Sequence, residues 1–294
     1  MLALSGVGLF LYRSHGFPER LPEFIKNLKT PNLTDDSIPE LQAWRINKCF
    51  LHKTGSKFSE TECVDPESIK GPLVFIWGDS HAASLYSGLS KLQEKYEFRV
   101  AQFTQSKCPP WIYSNTSELD ECESKNQFIL EKIKNLIPDT VLLYANWSDN
   151  WERQKGEVNL PKSISKLKSY GIKRIILLGP TPQWKVSIQM AIVQSFKLSL
   201  KWNQIFPKRI KNTLHQNFLS DWGEAQKNIA LQNNIIYISS QEVLCNVDGC
   251  LTSITDNENE LTFLDSGHLS PFGATFLVES FIDRLFPEPL NRKK

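Results

Sequence analysis

The sequence predicts an α/β fold, a three-layer α/β/α sandwich built on a parallel sheet of five strands, with an N-terminal extension. Two observations support this fold class. From residue 71 onward, short apolar runs alternate with stretches in which apolar residues recur at helical spacing. The runs are apolar throughout, as is typical of strands buried on both faces of a sheet. Strands that alternate with helices in this way form parallel sheets covered by helices.

Residues 1–70 do not show this alternation. Residues 1–12 are apolar but lack the charged start and the cleavage site of a signal peptide, and they are too few to span a bilayer. We expect them to be the end of a truncated transmembrane helix; a buried helix or strand is the alternative. Residues 13–70 are irregular and contain several prolines. They predict a linker and an extension that packs on the main domain, residues 71–294.

Five apolar runs predict the strands of the main domain, and the stretches between them predict the helices. The predicted strands are Leu73–Trp77, Phe98–Phe103, Thr140–Tyr144, Arg174–Leu178 and Ile235–Ile238. The predicted helices are Ala82–Tyr96, Phe128–Leu136, Ser163–Tyr170 and Phe272–Phe286. Because ligands of such sheets bind at the carboxyl ends of the strands, the residues directly after each strand are the candidates for a functional site.

The composition narrows the class of protein. Of the 294 residues, 40% are hydrophobic and 22% are charged, which excludes a disordered or collagen-like chain. The formal net charge is only +2, so no broad basic field indicates nucleic-acid binding. No apolar run reaches the roughly 18 residues that a membrane-spanning helix needs.

The cysteines lie in three pairs of sequence neighbours, which predicts disulfides in an oxidising compartment, the periplasm or the cell exterior. Six cysteines allow 15 connectivities, so neighbour pairing is an expectation. A zinc site would need closely spaced Cys or His ligands, and no such spacing occurs. Free buried thiols in a cytosolic protein are the alternative. The expected disulfides are Cys49–Cys63, Cys108–Cys122 and Cys245–Cys250.

Two motifs carry the candidate chemistry. Gly78–His81 reads Gly-Asp-Ser-His after the first strand, which would place Ser80 at a helix N-terminus, where unpaired N–H groups can bind an oxyanion. Asp265 and His268 lie three residues apart before the last helix. A serine nucleophile needs a base and a group that orients the base, and His268 and Asp265 are the residue types for these roles. The alternatives are a capping serine and a surface loop with a capping Asp.

The two residues beside the nucleophile have simpler interpretations. His81 is adjacent to Ser80, but neighbouring residues of a helix point about 100° apart. We therefore expect His81 to cap or pack rather than to act as the base. Asp79 is expected to stabilise the turn.

The joint presence of these motifs resembles the SGNH, or GDSL-like, hydrolase family over about residues 71–286. The resemblance implies a flavodoxin-like α/β/α fold with Ser80 as the nucleophile. Asp265 and His268 would complete the triad, and the Ser80 N–H would belong to the oxyanion hole. These catalytic assignments follow from the family's motifs at matching positions.

The oxyanion hole departs from the family pattern. The family's Asn after a middle strand corresponds to Asn146, although the usual Gly-x-Asn-Asp context is missing. The family's Gly after the second strand is also missing. Ser106 or Lys107 would then supply the second backbone donor.

Three segments resemble a narrower group, the SGNH domain fused to acyltransferase-3 membrane proteins. They are Gly-Asp-Ser-His-Ala-Ala at 78–83, Ser-x-Cys-Pro-Pro at 106–110 and Gly-His-Leu-Ser-x-x-Gly-Ala at 267–274. These proteins are bacterial O-acetyltransferases of lipopolysaccharide O-antigen and similar surface glycans. The resemblance implies a periplasmic domain of an inner-membrane protein, with the membrane domain as its partner in the same polypeptide. It also implies no metal or cofactor on this domain, and acetyl-CoA as the ultimate donor.

The expected function is transfer of an acetyl group, through a Ser80 ester, to a sugar hydroxyl of a surface polysaccharide. The first alternative is a free-standing carbohydrate esterase or deacetylase with water as the acceptor. The second is a catalytically inert glycan-binding module. Because sugar rings stack on aromatic faces, Trp147 and Trp151 are candidates for a substrate groove.

Overall fold

The computed structural model describes residues 21–112, 121–147, 159–198, 206–211, 216–255, 258–286 and 288. The predicted end of a transmembrane helix, residues 1–12, lies outside these ranges. Within them, no helix has the length and apolar character needed to cross a membrane.

The central sheet is parallel and has six strands among the described residues. They are β1 (Phe50–Leu51), β2 (Leu73–Gly78), β3 (Arg99–Gln105), β4 (Thr140–Tyr144), β5 (Arg174–Leu178) and β7 (Ile236–Ile238). Their spatial order is β1-β3-β2-β4-β5-β7. The prediction of five strands misses β1, which lies in the extension and pairs with Thr104 and Gln105 at the end of β3. Two residues are too few to show a strand pattern in sequence.

Helices cover the sheet, and two of them pack together beside β2. These are α3 (Ser80–Leu92) and α9 (Pro271–Glu279), which meet where Gly88 lies against the backbone of Ala274. The predicted last helix ends early, because Phe281 leaves helical geometry with φ −130° and ψ 17° and a 3-10 turn follows. The other helices are α1 (Glu23–Asn27), α2 (Pro39–Ala43), α4 (Glu121–Leu136), α5 (Leu160–Ser169), α6 (Ile188–Leu198), α7 (Gln216–Gln232) and α8 (Ser240–Leu244).

The extension packs next to the carboxyl end of β2. Its side chains Leu41, Trp44, Ile46 and Phe50 form a small apolar cluster with two residues of the main domain, Ala83 and Leu264. Ala83 belongs to the first turn of α3 and Leu264 precedes Asp265. The extension is therefore part of the wall around both candidate motifs, the turn at Ser80 and the turn at Asp265 and His268.

All three disulfides join sequence neighbours, in agreement with the predicted pairing. Cys49–Cys63 closes a loop of the extension, and Cys108–Cys122 joins the loop after β3 to α4. Cys245–Cys250 links two short antiparallel strands, β8 (Cys245–Asn246) and β9 (Gly249–Leu251), which form a second sheet with β6 (Arg209–Ile210).

Candidate active site

The site begins where β2 ends at Gly78. A Cβ built at this position would lie 1.6 Å from the carbonyl oxygen of Tyr144, the last residue of β4. No side chain fits there, so glycine allows the ends of β2 and β4 to approach closely. The residues that follow the two strands therefore come together.

Asp79 connects these two strand ends. It is the N-cap of α3, and its Oδ1 accepts a hydrogen bond from the N–H of His81 at 2.8 Å. Its Oδ2 accepts from the N–H of Asn146, also at 2.8 Å. Burial raises the pKa of Asp79 to about 6, although both N–H bonds favour the charged carboxylate. The turn-stabilising role predicted for Asp79 agrees with this geometry.

Ser80, His268 and Asp265 form one hydrogen-bonded chain. His268 Nε2 lies 2.9 Å from Ser80 Oγ, and His268 Nδ1 lies 2.7 Å from Asp265 Oδ2. This is the arrangement in which an imidazole can take a proton from a serine hydroxyl while a carboxylate holds the ring. The side chains of His268 and Asp265 are 21% and 26% exposed, so a substrate can reach them.

The turn Asp265–His268 is organised by its own carboxylate. Asp265 Oδ1 accepts from the N–H groups of Gly267 and His268, both at 2.8 Å. Burial opposes ionisation of Asp265, but these bonds and the bond and charge of His268 hold the pKa of Asp265 well below its usual range. Asp265 is therefore a carboxylate at neutral pH and holds the His268 ring through its bond to Nδ1.

His81 packs against the face of the His268 ring. The two ring centroids are 4.3 Å apart with a tilt of 35°. Neither ring nitrogen of His81 has a hydrogen-bond partner among the described residues. Burial, followed by the charge of His268, lowers the pKa of His81 well below its usual range. The ring is neutral and packs, as the sequence predicted, and does not bond to Ser80.

Trp44 brings the extension into the site. Its ring centroid lies 5.3 Å from that of His268, and its side chain is buried. Sequence reasoning missed this contact, because no local motif relates Trp44 to a histidine more than two hundred positions away.

Asn146 follows β4, and the bond from its N–H to Asp79 holds it beside the turn that carries Ser80. Its side-chain Oδ1 accepts a hydrogen bond of 2.7 Å from Nε2 of Gln183. The oxygen of the Asn146 amide is thus committed to Gln183, and the NH₂ group is the part that can donate to an oxyanion. Gln183 lies in the loop after β5 and was not predicted from sequence.

The prediction that Ser106 supplies a backbone donor to the oxyanion hole is wrong. The N–H of Ser106 donates to the carbonyl of Leu51 at 2.8 Å. The cause is β1, the strand missing from the sequence prediction, because its pairing with β3 continues into the loop and uses this donor.

The prediction that Trp147 lines a substrate groove is also wrong. Its side chain is 1% exposed, and its Nε1 donates to the carbonyl of Leu178 at 2.7 Å. The indole stacks on Trp111 with ring centroids 6.4 Å apart. Trp147 therefore belongs to the hydrophobic core. The second groove candidate, Trp151, lies outside the described residues.

The structure is a parallel α/β/α sandwich with Ser80 directly after β2 and with Asp265 and His268 before the last helix. This combination defines the SGNH hydrolase fold. The family model described as "SGNH domain (fused to AT3 domains)" matches residues 48–283. The chain therefore belongs to the family of SGNH domains that are fused to AT3 domains. No curated protein sequence is significantly similar to it.

Several solved structures are similar to the chain, and the first named shares its fold. The periplasmic domain of a lipopolysaccharide acetyltransferase from Salmonella ser. Paratyphi A is 24% identical, with a TM-score of 0.66 over 83% of this chain and 93% of that one. An aryl esterase from M. smegmatis is 10% identical, with a TM-score of 0.44 over 73% and 98%. A carbohydrate acetylesterase family member from Sinorhizobium meliloti is 11% identical, with a TM-score of 0.42 over 74% and 100%.

Proposed function

We propose that the chain is a periplasmic O-acetyltransferase domain that moves an acetyl group through an ester of Ser80 to a sugar hydroxyl of a bacterial surface polysaccharide, such as O-antigen. One observation carries the proposal: the hydrogen-bonded chain from Asp265 through His268 to Ser80. Membership of a family whose SGNH domain is fused to AT3 domains supports a membrane partner in the same polypeptide. The proposed location is the periplasmic side of the inner membrane.

The first half-reaction acylates the serine. His268 Nε2 takes the hydroxyl proton while Ser80 Oγ attacks the acetyl carbonyl, and Asp265 stabilises the imidazolium. The negative charge on the carbonyl oxygen faces the N–H of Ser80 and the amide NH₂ of Asn146. Ser80 is the first residue of α3, so its N–H has no partner within the helix. When the tetrahedral intermediate collapses, the donor group leaves with the proton from His268.

The second half-reaction reverses these steps with a sugar. His268 takes the proton of a sugar hydroxyl, the sugar oxygen attacks the ester carbonyl, and Ser80 Oγ leaves and recovers a proton from His268. In this proposal the domain itself binds no metal or cofactor. The acetyl group comes from acetyl-CoA by way of the AT3 domain, and the acceptor is the glycan.

The test is the intact mass of the purified chain after a short exposure to p-nitrophenyl acetate, with and without an O-antigen oligosaccharide. Wild type is compared with Ser80→Ala and with Ser90→Ala, a control serine ten residues further along the same helix. We expect an acetyl adduct in wild type and Ser90→Ala, absent in Ser80→Ala, that moves to the sugar. Release to water alone would support an esterase, because the partly exposed triad also admits water. Absence of any adduct in a folded chain would support an inert binding module.

A further inference from the structure

We propose that Gln183 is a positioning residue of the oxyanion hole, which selects the side of the Asn146 amide that faces the acyl carbonyl. The inference rests on the proposed function, because it assigns a residue to that same site. Gln183 acts through Asn146 and not on the substrate.

The two ends of an asparagine amide are nearly identical in shape and opposite in polarity. Only the NH₂ end can donate to an oxyanion, and the oxygen end would repel it. The bond from the Asn146 N–H to Asp79 places the backbone, but it leaves the rotation of the amide open, since this terminal torsion is broad and roughly two-fold. A donor at Oδ1 favours the orientation that leaves the NH₂ end toward the carbonyl, and Gln183 Nε2 donates to Oδ1 at 2.7 Å.

The loop that carries Gln183 is held to the loop that carries the base. The N–H of Trp184 donates to the carbonyl of Ser266 at 2.7 Å, and the N–H of Ile188 donates to the carbonyl of Asp265 at 3.1 Å. A Cβ built at Gly267 would lie 3.6 Å from Cγ of Gln183, so the side chain runs along this turn. Gln183 therefore joins the Asn146 amide to the turn that positions His268.

Replacement by glutamate gives a test that depends on chemistry rather than on packing. The shape changes little, but a carboxylate has no hydrogen to donate and accepts instead. It would attract the NH₂ of Asn146 and turn the amide oxygen toward the acyl carbonyl. Protonation of the introduced carboxyl restores a donor, so the defect should diminish as pH falls.

The experiment measures kcat and KM for p-nitrophenyl acetate from pH 5 to 8 on the complete chain. At pH 8, we expect Gln183→Glu to lower kcat by about 100-fold, the size of losing one oxyanion donor, with KM within about threefold. The ratio of variant to wild-type kcat should rise as pH falls. Gln183→Met, which removes the donor without adding an acceptor, should lower kcat by about tenfold.

Two controls separate positioning from folding and from charge. In the Asn146→Ala background, Gln183→Glu should change kcat by less than about threefold, because the amide it turns is gone. Gln241→Glu, in the short helix after β7, adds the same charge elsewhere and should leave kcat unchanged. Thermal unfolding checks that each variant is folded.

The results distinguish this inference from the proposed function. Activity that survives Ser80→Ala, or a wild type that shows neither turnover nor a Ser80 adduct, overturns the proposed function and this inference with it. Ser80-dependent activity that Gln183→Glu leaves intact at pH 8 overturns the inference alone. So does an equal loss of kcat in the wild-type and Asn146→Ala backgrounds.

Discussion

The two halves of the candidate site are built in different ways. The proton-transfer half consists of the side chains of Ser80, Asp265 and His268. The proposed oxyanion half consists of the Ser80 N–H and the Asn146 amide, with Gln183 as the residue that positions this amide. In the first half, a single turn holds both Asp265 and His268, and the carboxylate bonds to the backbone of that turn. In the second, the groups follow three different strands, β2, β4 and β5. The residues of the first half can therefore be recognised from local sequence motifs. Those of the second half come together only when the strands pair.

Asp79 is the residue common to both halves. It caps the helix that presents Ser80 and also holds the backbone of Asn146. Each half can be perturbed by itself, and the linking carboxylate can be titrated.

The largest effect is expected in the proton-transfer half. His268→Ala should lower kcat/KM for p-nitrophenyl acetate by at least about 10⁴-fold, because Ser80 loses its base. His81→Leu, the matched control at the stacked neighbouring ring, should stay within about tenfold of wild type, because His81 packs as a neutral ring. Steady-state kinetics measures both variants. Equal losses in the two variants would show that His81 takes part in proton transfer.

A smaller effect is expected in the oxyanion half. Asn146→Ala should lower kcat by about 10²- to 10³-fold, about 3–4 kcal/mol, with little change in KM. Pre-steady-state acylation of Ser80 measures this step directly. A higher KM with an unchanged kcat would instead assign Asn146 to ground-state binding of the substrate.

The smallest expected effect is a change in the free energy of unfolding, and it comes from Asp79, the carboxylate that links the two halves. Because the folded-state pKa of Asp79 is about 6 and its ordinary value is 3.8, its contribution to stability is fully present below about pH 4. It is lost as pH rises through 6, by about 3 kcal/mol. Urea unfolding at pH 4 and pH 7 should therefore show that the free energy of unfolding of Asp79→Asn increases relative to that of wild type as pH rises.

Asp265→Asn provides the control of opposite sign. The pKa of Asp265 is held below its ordinary value, so the stability that its charge contributes is present at neutral pH and lost as pH falls. Wild type should lose its advantage over Asp265→Asn on acidification. An advantage of wild type over Asp79→Asn that also decreased on acidification would show that the two N–H bonds to Asp79 outweigh its burial.

Much of the fold could be predicted because its signals are local. Continuous apolar runs identified β2 through β5 and β7, and Gly-Asp-Ser-His after β2 marked the turn that carries Ser80. The errors have two causes. β1 has two residues and no readable pattern, and missing it led to Ser106 as a donor whose N–H the strand pairing already uses. Trp147 was placed in a groove because sequence does not reveal that its indole is buried and stacks on Trp111.

Sequence alone was enough to predict the α/β class, the neighbour pairing of the cysteines, and the two motifs that supply Ser80, Asp265 and His268. These predictions follow from short-range rules of apolar periodicity, spacing and turn chemistry. The contact of Trp44 with His268 and the bond from Gln183 to Asn146 became visible only in the folded chain. Both contacts join segments that are distant in sequence and adjacent only once parallel strands lie side by side, and no local pattern encodes the register that brings them together.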